Sequence, residues 1–220
     1  MTVGAAVRFT DAFLEPVLDG ANHAFEKGTI SAVVTAGEDE DALLVKVLVG
    51  LSRLREGRIL VLEQDLGALS RDGLDEIRRR IGIVYPDGGL ISNLKVLENV
   101  TLPLLYHTAM RSRDIERRAV ATLERLGCGE DLFALPGGLS TFKRRMTGFA
   151  RVVTMEPEVV FYDRLADGLQ EEERDVFLRM ALAFHGEMPG RTTIFLTSNP
   201  TTIAGAGPLK VVHLTKGRFE

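Results

Sequence analysis

Val33-Val34-Thr35-Ala36-Gly37-Glu38-Asp39-Glu40-Asp41-Ala42-Leu43-Leu44 runs from an apolar, β-branched stretch, through a glycine, into a helical pattern. Ile30–Val34 reads as a strand and about Glu40–Leu51 as a helix. Working outward, Ile59–Val61, Ile81–Val84, Val159–Tyr162, Thr193–Leu196 and Val211–Leu214 read as further strands. Several are apolar nearly throughout, which suits a parallel sheet buried on both faces. Helical patterns lie between them, at about Arg71–Arg79, Ser112–Leu126, Ser140–Met155 and Gln170–His185, with Asp75 and Arg79 as an i,i+4 pair. Strand alternating with helix argues for an α/β layered fold. Between about Asp87 and Glu156 there is no convincing strand, and the helical segments there predict an inserted subdomain. The expectation is one domain over 1–220, with its core at 1–86 and 157–220 and a helical subdomain at 87–156. Pro136-Gly137-Gly138 reads as a turn before a helix.

The composition bounds the rest. The chain has 220 residues, 45% apolar and 26% charged, which excludes disordered and collagen-like classes and suffices for a real core. A net charge of −4 and a pI near 5.7 offer no basic field, so no nucleic-acid partner is expected. The single cysteine, Cys128, excludes a disulfide framework and reads as a small core residue. No apolar run approaches the ~18 residues of a membrane span. Met1-Thr2-Val3-Gly4 lacks the layout of a signal peptide, so a cytoplasmic protein is expected. His23, His107, His185 and His213 show no ligand spacing, and no metal site is expected. The Arg-rich stretch Arg111–Arg118 reads as a solvated helix face.

Further motifs stand in a fixed order. Gly50-Leu51 is followed by Glu56-Gly57-Arg58-Ile59, which turns into a strand. Much later comes Met155-Glu156-Pro157-Glu158-Val159-Val160-Phe161-Tyr162-Asp163, then Ala166-Asp167-Gly168-Leu169. This order and spacing resembles the ATP-binding subunit of ABC transporters, from about Val7 to Phe219. Leu94–Leu104 is similar to that family's helical region after the Q-loop. The likeness leans toward the small ATPases of lipid and lipoprotein transport, including MCE-associated phospholipid systems. It implies a P-loop NTPase-like, mostly parallel sheet with an N-terminal antiparallel β portion and an inserted helical subdomain. It also implies a dimer, in which the P-loop of one subunit and the signature helix of the other enclose ATP.

Each of the six local features that carry the family's chemistry is altered here. The P-loop, GxxxxGK[ST], wraps phosphate in backbone N–H groups, with lysine on the outer phosphates and Ser/Thr on Mg²⁺. Asp41 stands at the lysine and Ala42 at the hydroxyl; beside Gly37 and Asp39, Glu38 and Glu40 replace glycines, where positive φ would strain them. Unit charges ~4 Å apart near a surface interact by about 4 kcal/mol, so lysine to aspartate turns attraction into repulsion. The acids suit a helix N-terminus, with carboxylates standing in the place of phosphate; a cation site at Asp39 and Asp41 is the rival reading. Pro86 replaces the Q-loop glutamine. The signature reads Leu139-Ser140-Thr141-Phe142-Lys143, where Ser140 suits a helix cap and Phe142 fills space a phosphate would need. Lys143 reads either as an attraction for a partner's nucleotide or as a solvated charge running into Arg144-Arg145. Asp163 is kept from Walker B, but Arg164 replaces the catalytic glutamate and cannot act as a base. Leu169-Gln170 alters the D-loop, and Ser198 replaces the switch histidine.

What persists reads as framework: the apolar Val159–Tyr162, Gly50-Leu51 packing and the helix from Ser140. Phe13 lies near the family's adenine-stacking position, or packs in the core. Asn99, Leu102, Leu104 and Tyr106 lie where the family receives the coupling helix of its membrane subunit, by helix-in-groove docking, or else belong to the subdomain core. The resulting expectation is a non-catalytic pseudo-ATPase without a cofactor of its own, ATP and Mg²⁺ coming only from a competent partner subunit. Its partners would be a transmembrane permease of an ABC complex and a second ABC ATPase-like subunit, homo- or heterodimeric. It would sit peripherally on the cytoplasmic face of the inner or plasma membrane, with lipid as a candidate cargo. The alternatives are an ATP-hydrolysing ABC subunit with unconventional motifs and a soluble ABC-like scaffold dimer.

Overall fold

The computed structural model describes residues 4–206 and 209–220. Met1–Val3, part of the stretch read above for a leader, lie outside the described residues. A six-stranded sheet forms the centre, in the order β10-β9-β3-β8-β7-β6. Its strands are β3 (Ile30–Val34), β6 (Ile81–Val84), β7 (Val159–Asp163), β8 (Thr192–Thr197), β9 (Lys210–Thr215) and β10 (Arg218–Phe219). β6, β7, β8, β3 and β9 run parallel; β10 returns antiparallel on β9. A second, antiparallel sheet has the order β2-β1-β4-β5, from β1 (Ala5–Leu14), β2 (Leu18–Glu26), β4 (Glu56–Val61) and β5 (Gln64–Asp65). The strand expected at Ile59–Val61 therefore belongs to this layer, where its neighbour β1 alternates buried and exposed positions.

Alternation along the central strands divides the core into two layers. Val159 and Phe161 of β7, Ile194 and Leu196 of β8 and Val33 of β3 face the antiparallel sheet and helix α1 (Glu38–Leu48). Val160, Tyr162, Phe195 and Ala32 face the opposite way, onto α5 (Thr141–Met155) and α6 (Glu171–Gly186). Every residue of β7 is buried, as its continuous apolar run required. Cys128 is buried among this second layer.

Between β6 and β7 lie α3 (Val96–His107), α4 (Ser112–Arg125) and α5, with α2 (Arg71–Arg79) preceding β6. α2 has the expected bounds, but Asp75 bonds Arg78 at 2.8 Å, and Arg79 turns to His107 instead. α4 carries its arginines outward: Arg111 and Arg117 share Asp114. α5 lies hard against the 85–89 turn. A Cβ on Gly148 would sit 2.4 Å from Gly88 O, so only glycine fits. Among the described residues, no helix is long and apolar enough to cross a membrane.

Candidate functional site

The loop 35–37 leaves the carboxyl end of β3, the edge where open parallel sheets place ligands. Thr35 N–H bonds Thr197 O at 3.0 Å, which ties the loop to β8. α1 then begins at Glu38, two residues earlier than expected. None of residues 36–41 has a left-handed φ, so Glu38 and Glu40 carry no glycine-type strain. The strain expected at those positions is corrected: the helix starts too soon for the loop to coil.

The four acids do not act as one cluster. Asp41 turns inward, fully buried, and its Oδ1 accepts from Thr35 Oγ1 at 2.8 Å. Burial pushes its pKa up to about 7, with Asp163 adding repulsion against the opposing Thr35 bond. Asp41 thus does not project into the loop as the lysine it replaces would. Glu40 Oε2 accepts from Ala36 N–H at 2.8 Å, so a carboxylate occupies this loop donor. Glu38 is taken by Arg164, whose Nη1 lies 2.7 Å from Glu38 Oε2. Asp39 is exposed and adjoins neither bond. Ala42, half-buried, supplies no oxygen.

Arg164 is the hub. It follows β7 at φ +48, a left-handed conformation that residues with a Cβ rarely adopt. Its N–H bonds Leu196 O at 3.0 Å and its Nε bonds Asp167 Oδ2 at 2.9 Å. The bonds to Asp167 and Glu38 raise its pKa, so it is a fixed cation facing the loop. Asp163, 7% exposed, lies behind it; burial lifts its pKa to about 6, against the pull of Arg164. Among the described residues no three His, Cys, Asp or Glu converge as metal ligands. With Ala42 in the hydroxyl position, these side chains do not fit a resident Mg²⁺.

On the signature side, Ser140 caps α5 by accepting from Lys143 N–H at 3.2 Å. Lys143 Nζ is engaged by Asp131 at 2.7 Å, so its charge is partnered. Phe142 meets Phe177 edge-on, ring centroids 6.4 Å apart. Arg144 bonds Leu139 O, but Arg145, read as solvated, is 3% exposed. Its position four residues before the buried Phe149 was the available signal. Gln170 caps α6, its N–H bonding Glu173 Oε2 at 3.3 Å. Ser198 is exposed. Phe13 is half-buried beneath the Arg55 guanidinium, 5.4 Å from the ring centre; it is neither a core residue nor a bare platform.

The expected partner contacts divide. Asn99 is fully buried: its Oδ1 accepts from Ile91 N–H, and its Nδ2 donates to Ile91 O, Leu94 O and Lys95 O. Leu104 is 2% exposed. Both are core and are withdrawn as contacts. Leu102 is half-buried and Tyr106 is 77% exposed. Leu51, expected to pack, is 66% exposed. It edges a groove of about 350 Å³ lined by Ile81, Ile83, Tyr85, Pro103 and Met155. Arg79 and His107 line the same groove. Sequence reasoning missed the groove because its floor comes from β6 and its wall from α3 and α5.

The profile of the ABC transporter family matches residues 42–165. A methionine import ATP-binding protein, MetN of Rhizobium meliloti (strain 1021), is 28% identical over 202 residues, 92% of this chain and 56% of that protein. The cell division ATP-binding protein FtsE of Haemophilus influenzae is 28% identical over 158 residues, covering 72% of each chain. The chain spans about half the length of the methionine import relatives it matches. Among solved structures, a dimeric ATP-binding cassette in a post-hydrolysis state with ADP and Pi aligns at a TM-score of 0.85 and 21% identity, over 97% of this chain and 96% of that one. CbiO1 of Clostridium perfringens, described as part of the ABC transporter complex CbiONQ, aligns at 0.80 and 22%, over 98% and 87%. These findings overturn the expectation that the chain is not an enzyme: its relatives are named as ATP-binding proteins, and they point to an ATPase. The fold, the order of motifs and the matched span agree, and the chain belongs to the ABC transporter family.

Proposed function

We propose that this chain is the ATP-binding subunit of an ABC-type membrane transporter and that it handles nucleotide with an unconventional residue set. The carrying observation is the Arg164 guanidinium, which reaches from the end of β7 to the first turn of α1. It brings a permanent cation to the loop that lost its lysine. Two further features support the reading. Asp41 is turned away and only partly ionised at neutral pH, so the anionic barrier is smaller than the sequence suggests. Glu38 and Glu40 sit on the donors that a polyphosphate needs, and a nucleotide would exchange with them. The relatives' names, methionine import and cell division among them, differ in cargo. Lipid cargo rests on the resemblance alone.

The partners follow from the surface. A permease segment docks in the groove edged by Leu51, with an apolar helix face on Ile81 and Ile83, and extends along α3 toward exposed Tyr106 and half-buried Leu102. Arg79 has no carboxylate partner among the described residues, so an acidic residue on that segment would match it. The subunit then sits on the cytoplasmic face of the membrane, paired with a second ABC subunit. ATP binding by equilibrium dialysis tests the nucleotide reading. A charge-assisted bond is worth about 1.5–3 kcal/mol, so Arg164→Ala should weaken binding by roughly tenfold or more. Absence of ATP binding to the assembled complex, or unchanged binding by the variant, overturns it.

A further inference from the structure

A nearly fully buried guanidinium beside the site takes no part in the chemistry proposed above. Arg145 lies in the first half of α5, and among the described residues no salt bridge neutralises it. Burial lowers its pKa, yet a guanidinium remains charged. The fold satisfies it with main-chain oxygens alone. Its Nε donates to Pro86 O at 2.9 Å, its Nη1 to Leu165 O and, at 3.1 Å, to Asp167 O, and its Nη2 also to Asp167 O at 3.1 Å. These carbonyls come from two separate loops. Only a planar fork of donors spans both at once; an ammonium is a single point.

Each loop leads to a different surface. Tyr85, beside Pro86, lines the docking groove. The same turn is held from its far end by Arg151, which donates to Gly89 O at 2.7 Å and to Gly88 O at 3.2 Å. On the other side, Asp167 holds Arg164 Nε at 2.9 Å, and Arg164 holds Glu38 at the start of α1. Direct contacts therefore run unbroken from groove to nucleotide loop. We propose that Arg145 is a positioning residue that couples the docking groove to the nucleotide loop, through Pro86 on one side and Asp167 on the other. This rests on the nucleotide reading above. By linkage the coupling is reciprocal: whatever the groove does to nucleotide affinity, nucleotide does to the groove.

The chain contains no tryptophan, so Tyr85→Trp places a single tryptophan in the groove, excited selectively at wavelengths where tyrosine does not absorb. Saturating ATP should change its emission. In Tyr85→Trp carrying Arg145→Lys or Asp167→Asn, that change should be lost while dialysis still detects bound ATP. Asp167→Asn leaves the carbonyls used by Arg145 in place and removes only the ion pair with Arg164. It therefore stands as the test if the lysine variant does not fold. Bound ATP without an emission change in the parent, or an undiminished change in either folded variant, overturns the coupling. Absence of ATP binding in the parent overturns the nucleotide reading and the coupling with it.

Discussion

Asp41 should make the protein less stable as pH rises toward neutrality. Its pKa climbs from an ordinary 3.8 to about 7 on folding, with burial as the main cause. Between those values the native state holds a proton that the unfolded chain has released, so stability falls with rising pH. Below the lower value both states are protonated and the effect vanishes; above the upper value it is complete. The gap is about 3 pH units at about 1.4 kcal/mol each, or about 4 kcal/mol. Asp163 titrates in the same region, and the two repel, so the pair shares the transition. Asp41→Asn isolates the contribution. The amide oxygen still accepts from Thr35 and never ionises, while its buried NH₂ adds an offset independent of pH. Urea unfolding of both proteins from pH 4.5 to 8 is the assay. The stability difference, variant minus wild type, should climb across that range by about 3–4 kcal/mol. A difference that stays flat would refute the argument that burial keeps this carboxyl protonated.

Three other substitutions probe the framework and the groove. Asn99→Ala removes a fully buried amide that bonds the partly buried main chain of Ile91, Leu94 and Lys95, and should cost about 3 kcal/mol in urea unfolding, as a staple does and a surface contact does not. Tyr106→Glu, at an exposed site, should shift stability by no more than about 0.5 kcal/mol yet abolish co-purification of a membrane subunit from detergent extracts. Gly88→Ala would set a Cβ 2.3 Å from Arg144 O at a φ of +83; it should lower the melting temperature markedly, through a loss of about 3 kcal/mol.

The sequence revealed periodicity well and side-chain direction poorly. β7 and β8 announced themselves because a strand buried on both faces is apolar nearly throughout, β3 and β6 as short apolar runs, and α2 through its helical pattern. The antiparallel layer was harder to read, because β2 (Leu18–Glu26) mixes buried Leu18, Ala21 and Phe25 with polar residues. At the site, the identities of Asp41, Ala42 and Arg164 were plain, but their orientation was not. A carboxylate in the lysine position reads as repulsion until Thr35 is seen to turn it inward. Arg164 reads as a lost base until its reach to Glu38 makes it a gained cation. Arg145 was mistaken for surface because two basic neighbours precede it; the helical period that places it above Phe149 was the better guide. Arg79 and Leu51 gained meaning only when β6 and α3 came together around the groove.

Where α5 crosses the 85–89 turn, main chain rests on main chain, with Gly148 against Gly88. No compressible layer of side chains separates them, so helix and turn travel as one stiff plate. A swivel of the helical layer cannot bend at that crossing. The stiff point of the helical layer therefore lies beneath α5, where it crosses the turn.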